Sequence, residues 1–171
     1  MDDEAIRAAR GPFAGTRGQL DAPYFPTSAT VVEQMLDLAA VGPGDRLIDL
    51  GCGDGRIVIA AAKRGAIGLG VDVDPAQVKA AREAALEAGV ERSAQFRAQD
   101  LFRTSLADAT VVTLFLLGHV NSFLEERLRT RLRPGARVVS HLFPMPRSLP
   151  ERVLDAGERR FLYLWVVPIA E

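Results

Sequence analysis

The chain has one cysteine, two histidines and two lysines in 171 residues, and each scarcity closes off a kind of chemistry. With Cys52 alone, neither an intrachain disulfide nor a cysteine-based zinc cluster can form. His119 and His141 are too few for a dedicated metal site, so no metal is expected. No apolar run approaches the roughly 20 residues that cross a bilayer as a helix, so no transmembrane segment is expected. The opening Met1-Asp2-Asp3-Glu4 is acidic where a signal peptide is basic, which makes cytoplasmic the expected address. An excess of one charge is also missing: a net charge of −1 gives no overall pull toward nucleic acid or anionic lipid. Arg127, Arg129, Arg131 and Arg133 do crowd together. Helical spacing spreads them around the circumference, and Glu125 and Glu126 interrupt the field, so they read as a solvated helix end.

What is present is a soluble-protein composition, 48% hydrophobic and 25% charged, in a length suited to one domain. Residues 1–21 carry short-range charge and little periodicity and read as an N-terminal arm; residues 22–171 read as the folded domain. Ala22-Pro23-Tyr24-Phe25-Pro26 is an extended aromatic segment stiffened by prolines. Thr27 or Thr30 caps a helix reaching about Ala40, with Val31, Val32, Met35, Leu36 and Ala39 on its apolar face. Strand and helix then alternate. Strands are expected at Arg46–Leu50, Ile67–Val73, Gln95–Ala98, Thr110–Leu117 and Arg137–Phe143. Helices are expected at about Gly55–Arg64, from an Asp74 cap with Pro75 at its first position to Gly89, and from an Asn121 cap to about Arg133. Arg152–Leu154 and Arg160–Val167 close the chain as a hairpin. The pattern predicts a doubly wound, Rossmann-like α/β fold: a mostly parallel seven-stranded sheet with a C-terminal antiparallel hairpin.

The densest signal is Asp49-Leu50-Gly51-Cys52-Gly53-Asp54-Gly55-Arg56, between a buried strand and an apolar helical run. A strand, a glycine-rich turn and a helix start form a nucleotide-cofactor cradle. Dinucleotide sites space their glycines G-x-G-x-x-G and hold a pyrophosphate. Here the spacing is G-x-G-x-G, with an aspartate two residues before the first glycine. That carboxylate repels pyrophosphate and suits a sulfonium or ammonium cation.

In such sheets ligands bind outside the carboxyl ends of the strands. Asp49, Asp72 and Asp100 end the first three strands and should meet at one rim. Asp72, 21 residues after Gly51, suits two ribose hydroxyls. Asp100 suits an exocyclic amine such as that of adenine, with Val73 and Leu101 on either side of the ring. Asp49 either accepts the amides of the glycine loop or faces the cation, and Asp54 reads as a helix cap. After the fourth strand come His119, a candidate general base, and Asn121. Tyr24 and Phe25 form either a lid or part of the core.

Asp49 to Arg56, Gly70-Val71-Asp72-Val73-Asp74-Pro75 and Leu132-Arg133-Pro134-Gly135 resemble the class I S-adenosylmethionine-dependent methyltransferases. Pro23-Tyr24-Phe25-Pro26-Thr27, Ala98-Gln99-Asp100-Leu101-Phe102, Val111 to Leu117 with Asn121, and Val138-Val139-Ser140-His141 narrow the likeness. They resemble the short non-SET protein-lysine methyltransferases, a group with archaeal members and mitochondrial members acting on ATP-synthase c-subunit and adenine-nucleotide-translocase lysines. The resemblance covers about Ala22 to Val167. It implies S-adenosyl-L-methionine as cofactor, held by Asp49, Gly51, Gly53, Asp72, Asp100 and the Tyr24 to Thr27 segment, and a protein substrate. One position departs from it. The resemblance implies an acidic residue after Ser140-His141, and this chain has Leu142, which bears on substrate choice or activity.

Three other readings stay open at this stage. They are a methyltransferase of small molecules or nucleic acid, a nicotinamide oxidoreductase, and a non-catalytic module binding the cofactor or a partner. The oxidoreductase predicts a G-x-x-G continuation that the sequence lacks. Substrate identity and oligomeric state are not encoded in any motif found.

Overall fold

The computed structural model describes residues 26–168. The proposed arm, residues 1–21, and the Tyr24-Phe25 pair lie outside the described residues.

Strands β1 (Arg46–Leu50), β2 (Ile67–Asp72), β3 (Ala94–Ala98), β4 (Val111–Leu114), β5 (Arg137–His141), β6 (Arg152–Asp155) and β7 (Phe161–Val166) form one sheet, ordered β3-β2-β1-β4-β5-β7-β6. The first five are parallel, β7 runs antiparallel to β5, and β6 pairs with β7 in the closing hairpin. The expected fold is therefore present in both topology and strand number. Strand order reverses between β1 and β4, which opens a crevice at their carboxyl ends.

Helices α1 (Ala29–Leu38), α2 (Arg56–Lys63) and α3 (Pro75–Glu87) precede β1, β2 and β3; α4 (Gly118–Arg131) links β4 to β5. Alternate side chains along each strand feed two separate cores. Leu47, Val111 and Val139 join Met35, Leu36, Val58 and Phe96 in one. Ile48, Leu50, Val112, Leu114 and Val138 join Leu124, Leu128 and Trp165 in the other.

The Asp74 cap is as expected: its carboxylate accepts the Ala76 amide at 2.8 Å, Pro75 follows, and Gly89 turns left-handed past the helix end. Several strand ends move by one or two residues, β5 stopping at His141 and not Phe143, and three boundaries differ in kind. Ser28, not Thr27 or Thr30, caps α1, accepting the Val31 amide. Thr27 is engaged elsewhere, and Glu33 pairs with Arg64 instead of closing a capping box. Strand β4 stops at Leu114, because Phe115 to Leu117 leave the ladder to start α4. Asn121 does not cap α4: the helix begins at Gly118 with extended Leu117 before it, placing Asn121 in the first turn.

Candidate active site

The glycine loop leaves the carboxyl end of β1. Gly51 and Cys52 both donate their amides to the Val71 carbonyl of β2 at 2.9 Å, which folds the chain back sharply. Gly51, Gly53 and Gly55 all have positive φ, 87°, 50° and 80°. At Gly55 the space is closed as well, since a Cβ would meet the Phe96 ring at 2.6 Å. Only glycine satisfies both demands there.

Asp72 closes the loop from the β2 side. One of its oxygens accepts the Gly53 amide at 2.9 Å and the other the Asp74 amide at 3.0 Å. A carboxylate offers about four acceptor directions, so two remain for hydroxyl donors. Of the two roles left open for Asp49, orienting the glycine loop thus belongs to Asp72. Asp49 instead accepts the Thr113 hydroxyl at 2.7 Å and is buried, 2% exposed. Burial pushes its carboxyl up to about 7, against the pull of the Thr113 hydrogen bond.

Asp54 is only in part a cap. Gly55 is the N-cap of α2, while the Asp54 carboxylate accepts the Arg56 amide and pairs with the Arg56 guanidinium. Arg56 also donates to the Thr27 carbonyl at 2.6 Å, tying the segment before α1 to the glycine loop. Asp100 caps the short 3-10 helix Leu101–Arg103 through the Phe102 amide. Leu101 is buried in the core, whereas Val73, just past β2, is exposed. Arg127, expected to be solvated, donates to the Leu101 and Thr104 carbonyls and secures that helix against α4.

At the β4–β5 side the two expected residues part company. His119 is solvent-exposed in the first turn of α4. Asn121 is fully buried, and its amide donates to Ser140 Oγ at 3.2 Å and to the Phe143 carbonyl at 2.8 Å. It holds the chain that leaves β5. His141 carried no expected role, yet it is 4% exposed, 3.4 Å from the Thr27 hydroxyl through Nδ1 and 4.1 Å centroid-to-centroid from Phe115. Its Nε2 has no partner among the described residues. Burial lowers its pKa to about 4, so the ring is neutral at physiological pH. A Ser-His pair closing an apolar strand, in a chain with two histidines, was the available signal for it.

The model of the ANTKMT methyltransferase domain matches residues 49–152. The chain belongs to this family. A "Protein-lysine N-methyltransferase" of Saccharolobus islandicus (strain REY15A) is 39% identical, aligned over 85% of this chain and 93% of the relative. The mouse "Adenine nucleotide translocase lysine N-methyltransferase" is 41% identical over 83% of this chain and 62% of its own length. A crystal structure described as an RNA methyltransferase from Salinibacter ruber, in complex with S-adenosyl-L-homocysteine, superposes with a TM-score of 0.82. It is 48% identical and covers 86% of this chain and 96% of that one.

The protein is an S-adenosylmethionine-dependent methyltransferase. Its rim fits that cofactor: a turn with glycine at three alternate positions, a carboxylate with spare acceptor directions at the end of β2, and a buried carboxyl beside them. The S-adenosylmethionine family assignment also displaces the nicotinamide reading.

Proposed function

We propose that this methyltransferase modifies the ε-amine of lysine in a protein substrate. The observation that carries the reading is the 39% identity with the archaeal protein-lysine enzyme over nearly the whole of both chains. When bound, S-adenosylmethionine would supply a methyl group on a sulfonium; the neutral amine takes that methyl as the carbon–sulfur bond breaks, the thioether S-adenosylhomocysteine leaves, and the resulting ammonium sheds a proton. Such a displacement requires alignment above all, and orientation of two reactants is worth roughly 7–11 kcal/mol.

In this reading Gly51 and Gly53 cradle the cofactor backbone, Asp72 takes the ribose hydroxyls, and Asp49 faces the cation. Asp100, Val73 and Leu101 border the adenine, and the Tyr24 to Thr27 segment adds contacts to the cofactor. A neutral His141 adds no positive charge beside an incoming amine, and desolvation helps lysine lose its proton. His119, exposed at the rim, accepts the released proton; His119→Ala then lowers kcat by at least about tenfold. Asn121 is a positioning residue.

The Salinibacter structure, by its description, favours RNA as a second reading. Its electrostatic requirement finds little support here, because RNA affinity rests on cations facing phosphates. The net charge is −1, and Arg56, Arg64, Arg129, Arg137 and Arg160 each pair with a carboxylate of this chain. Among the described residues, no helix is long and apolar enough to cross a membrane. We propose the cytoplasm as its compartment, supported by the single buried thiol of Cys52.

Tritium-methyl S-adenosylmethionine, added with the protein to an extract lacking its gene, tests the substrate class. Label in discrete protein bands, lost with Asp72→Ala, is the expected result. Label in RNA alone selects the second reading, and no label in any fraction leaves a cofactor-binding module.

A further inference from the structure

The cofactor features gather on the β1-β2-β3 side of the point where strand order reverses. A methyl acceptor therefore approaches over the ends of β4 and β5. Immediately after β5, Leu142 has a φ of 68°, and the Phe143 amide donates to the His141 carbonyl at 2.8 Å. This is a γ-turn with a left-handed centre, a rare and strained form, and leucine is among the residues least suited to it.

The surroundings force the turn. The Leu142 amide donates to the Phe161 carbonyl at 2.7 Å. The Phe143 carbonyl is held by two buried groups, Asn121 Nδ2 at 2.8 Å and Ser140 Oγ at 2.6 Å. The Phe143 ring lies beside Gly118, at the start of α4. A buried polar clasp thus keeps the β5 exit against the β4–α4 turn.

Folding gains little from leucine at this point. Glycine or asparagine fits the backbone better, and the leucine side chain is not buried: it is 36% exposed, next to Phe161 at 37%. Strain that local structure over-determines, at a rim where substrate must arrive, is a mark of function.

We propose that Leu142 is a specificity-determining residue: the γ-turn presents its side chain to an apolar residue flanking the methyl-accepting lysine. The inference rests on the lysine reading above. It predicts selection of lysines with aliphatic neighbours over lysines with charged ones.

The test uses wild type, Leu142→Gly and Leu142→Asp in the gene-deficient extract, with methyl-lysines mapped by mass spectrometry. Kinetics follow on substrates carrying the mapped lysine with leucine, serine or arginine beside it. Wild type should favour the leucine form over the serine form by about tenfold in kcat/KM, the range one aliphatic contact supplies. Leu142→Gly should lose that preference through KM, and Leu142→Asp should turn it toward arginine. Calorimetry should give all three the same affinity for S-adenosylmethionine.

Equal flank preferences in wild type and Leu142→Gly overturn the inference while leaving lysine methylation standing. Wild type that binds cofactor yet labels no lysine overturns the lysine reading and the inference with it.

Discussion

Thr113 donates its hydroxyl to Asp49 Oδ1 at 2.7 Å, and neither side chain meets solvent: Thr113 is 0% exposed and Asp49 2%. Burial drives the Asp49 carboxyl up to about 7, the Thr113 bond opposes this, and the charges of Asp72 and Asp54 add to it. A cationic cofactor reverses the balance by favouring the carboxylate. Affinity for S-adenosylmethionine should therefore rise as pH climbs through 7, and binding at pH 7 should expel a fraction of a proton. Calorimetry in two buffers of different ionisation heat measures that proton directly. Thr113→Val should shift the pH midpoint upward and Asp49→Asn should abolish the release. Identical heats in both buffers for the wild type would refute this account of Asp49.

Asp49 and His141 also pull stability in opposite directions with pH. Native Asp49 keeps a proton that the unfolded chain releases above 3.8, so its contribution is complete below 3.8 and gone by about 7. Native His141 refuses a proton that the unfolded chain takes up below 6.5, so its contribution is complete above 6.5 and lost as pH falls to about 4. The two slopes offset one another in the wild type. Asp49→Asn should be the more stable protein at pH 8, by on the order of 1–3 kcal/mol, and should lose stability more steeply in acid. His141→Gln should instead gain stability toward acid. Urea midpoints at pH 4.5, 6 and 8 check both signs.

What the sequence made legible was chemistry that acts within a few residues. The Asp74-Pro75 start and Gly89 stop of α3 are local devices, and local reading found them. The glycine loop between β1 and α2 was equally plain. Two of the misreadings share one cause, a partner far along the chain. Thr27 does not cap because it faces His141, 114 residues away. Asn121 has good capping chemistry, but Ser140 and Phe143 claim its amide from 19 and 22 residues off. The γ-turn at Leu142 left no trace at all, since leucine argues against a left-handed backbone. Asp49 and Asp72 lie at the ends of adjacent strands, and of the two tasks left open for Asp49 the holding of the loop falls to Asp72.

Gly55 makes a sharp test of the cradle's packing. A Cβ there would sit 2.6 Å from the Phe96 ring and 2.8 Å from the Ala81 Cβ, on a backbone with φ of 80°. Gly55→Ala should cost roughly 2–4 kcal/mol, overpacking and left-handed strain together. Gly89→Ala carries a similar backbone cost, φ 67°, but meets nothing within 4 Å, and should cost only about 1 kcal/mol. Urea denaturation of the pair separates steric from conformational expense; equal losses would mean Phe96 yields freely.

The clasp around Leu142 predicts a coupling that stability measurements can read without any substrate. Leu142→Gly removes the left-handed penalty and gives up only partly buried surface, so it should gain about 0.5–1 kcal/mol. Leu142→Ala keeps the strain, loses the contact and should fall below wild type. Asn121→Ala takes one of two donors from the Phe143 carbonyl and should cost about 1–3 kcal/mol. Part of that cost is the clasp's grip on a strained turn, and glycine at 142 needs no such grip. The double variant should therefore be more stable than the two single changes added together, by at least about 0.5 kcal/mol. Simple additivity in the cycle would show that the clasp and the turn are independent, and that the strain at Leu142 is held by β7 alone.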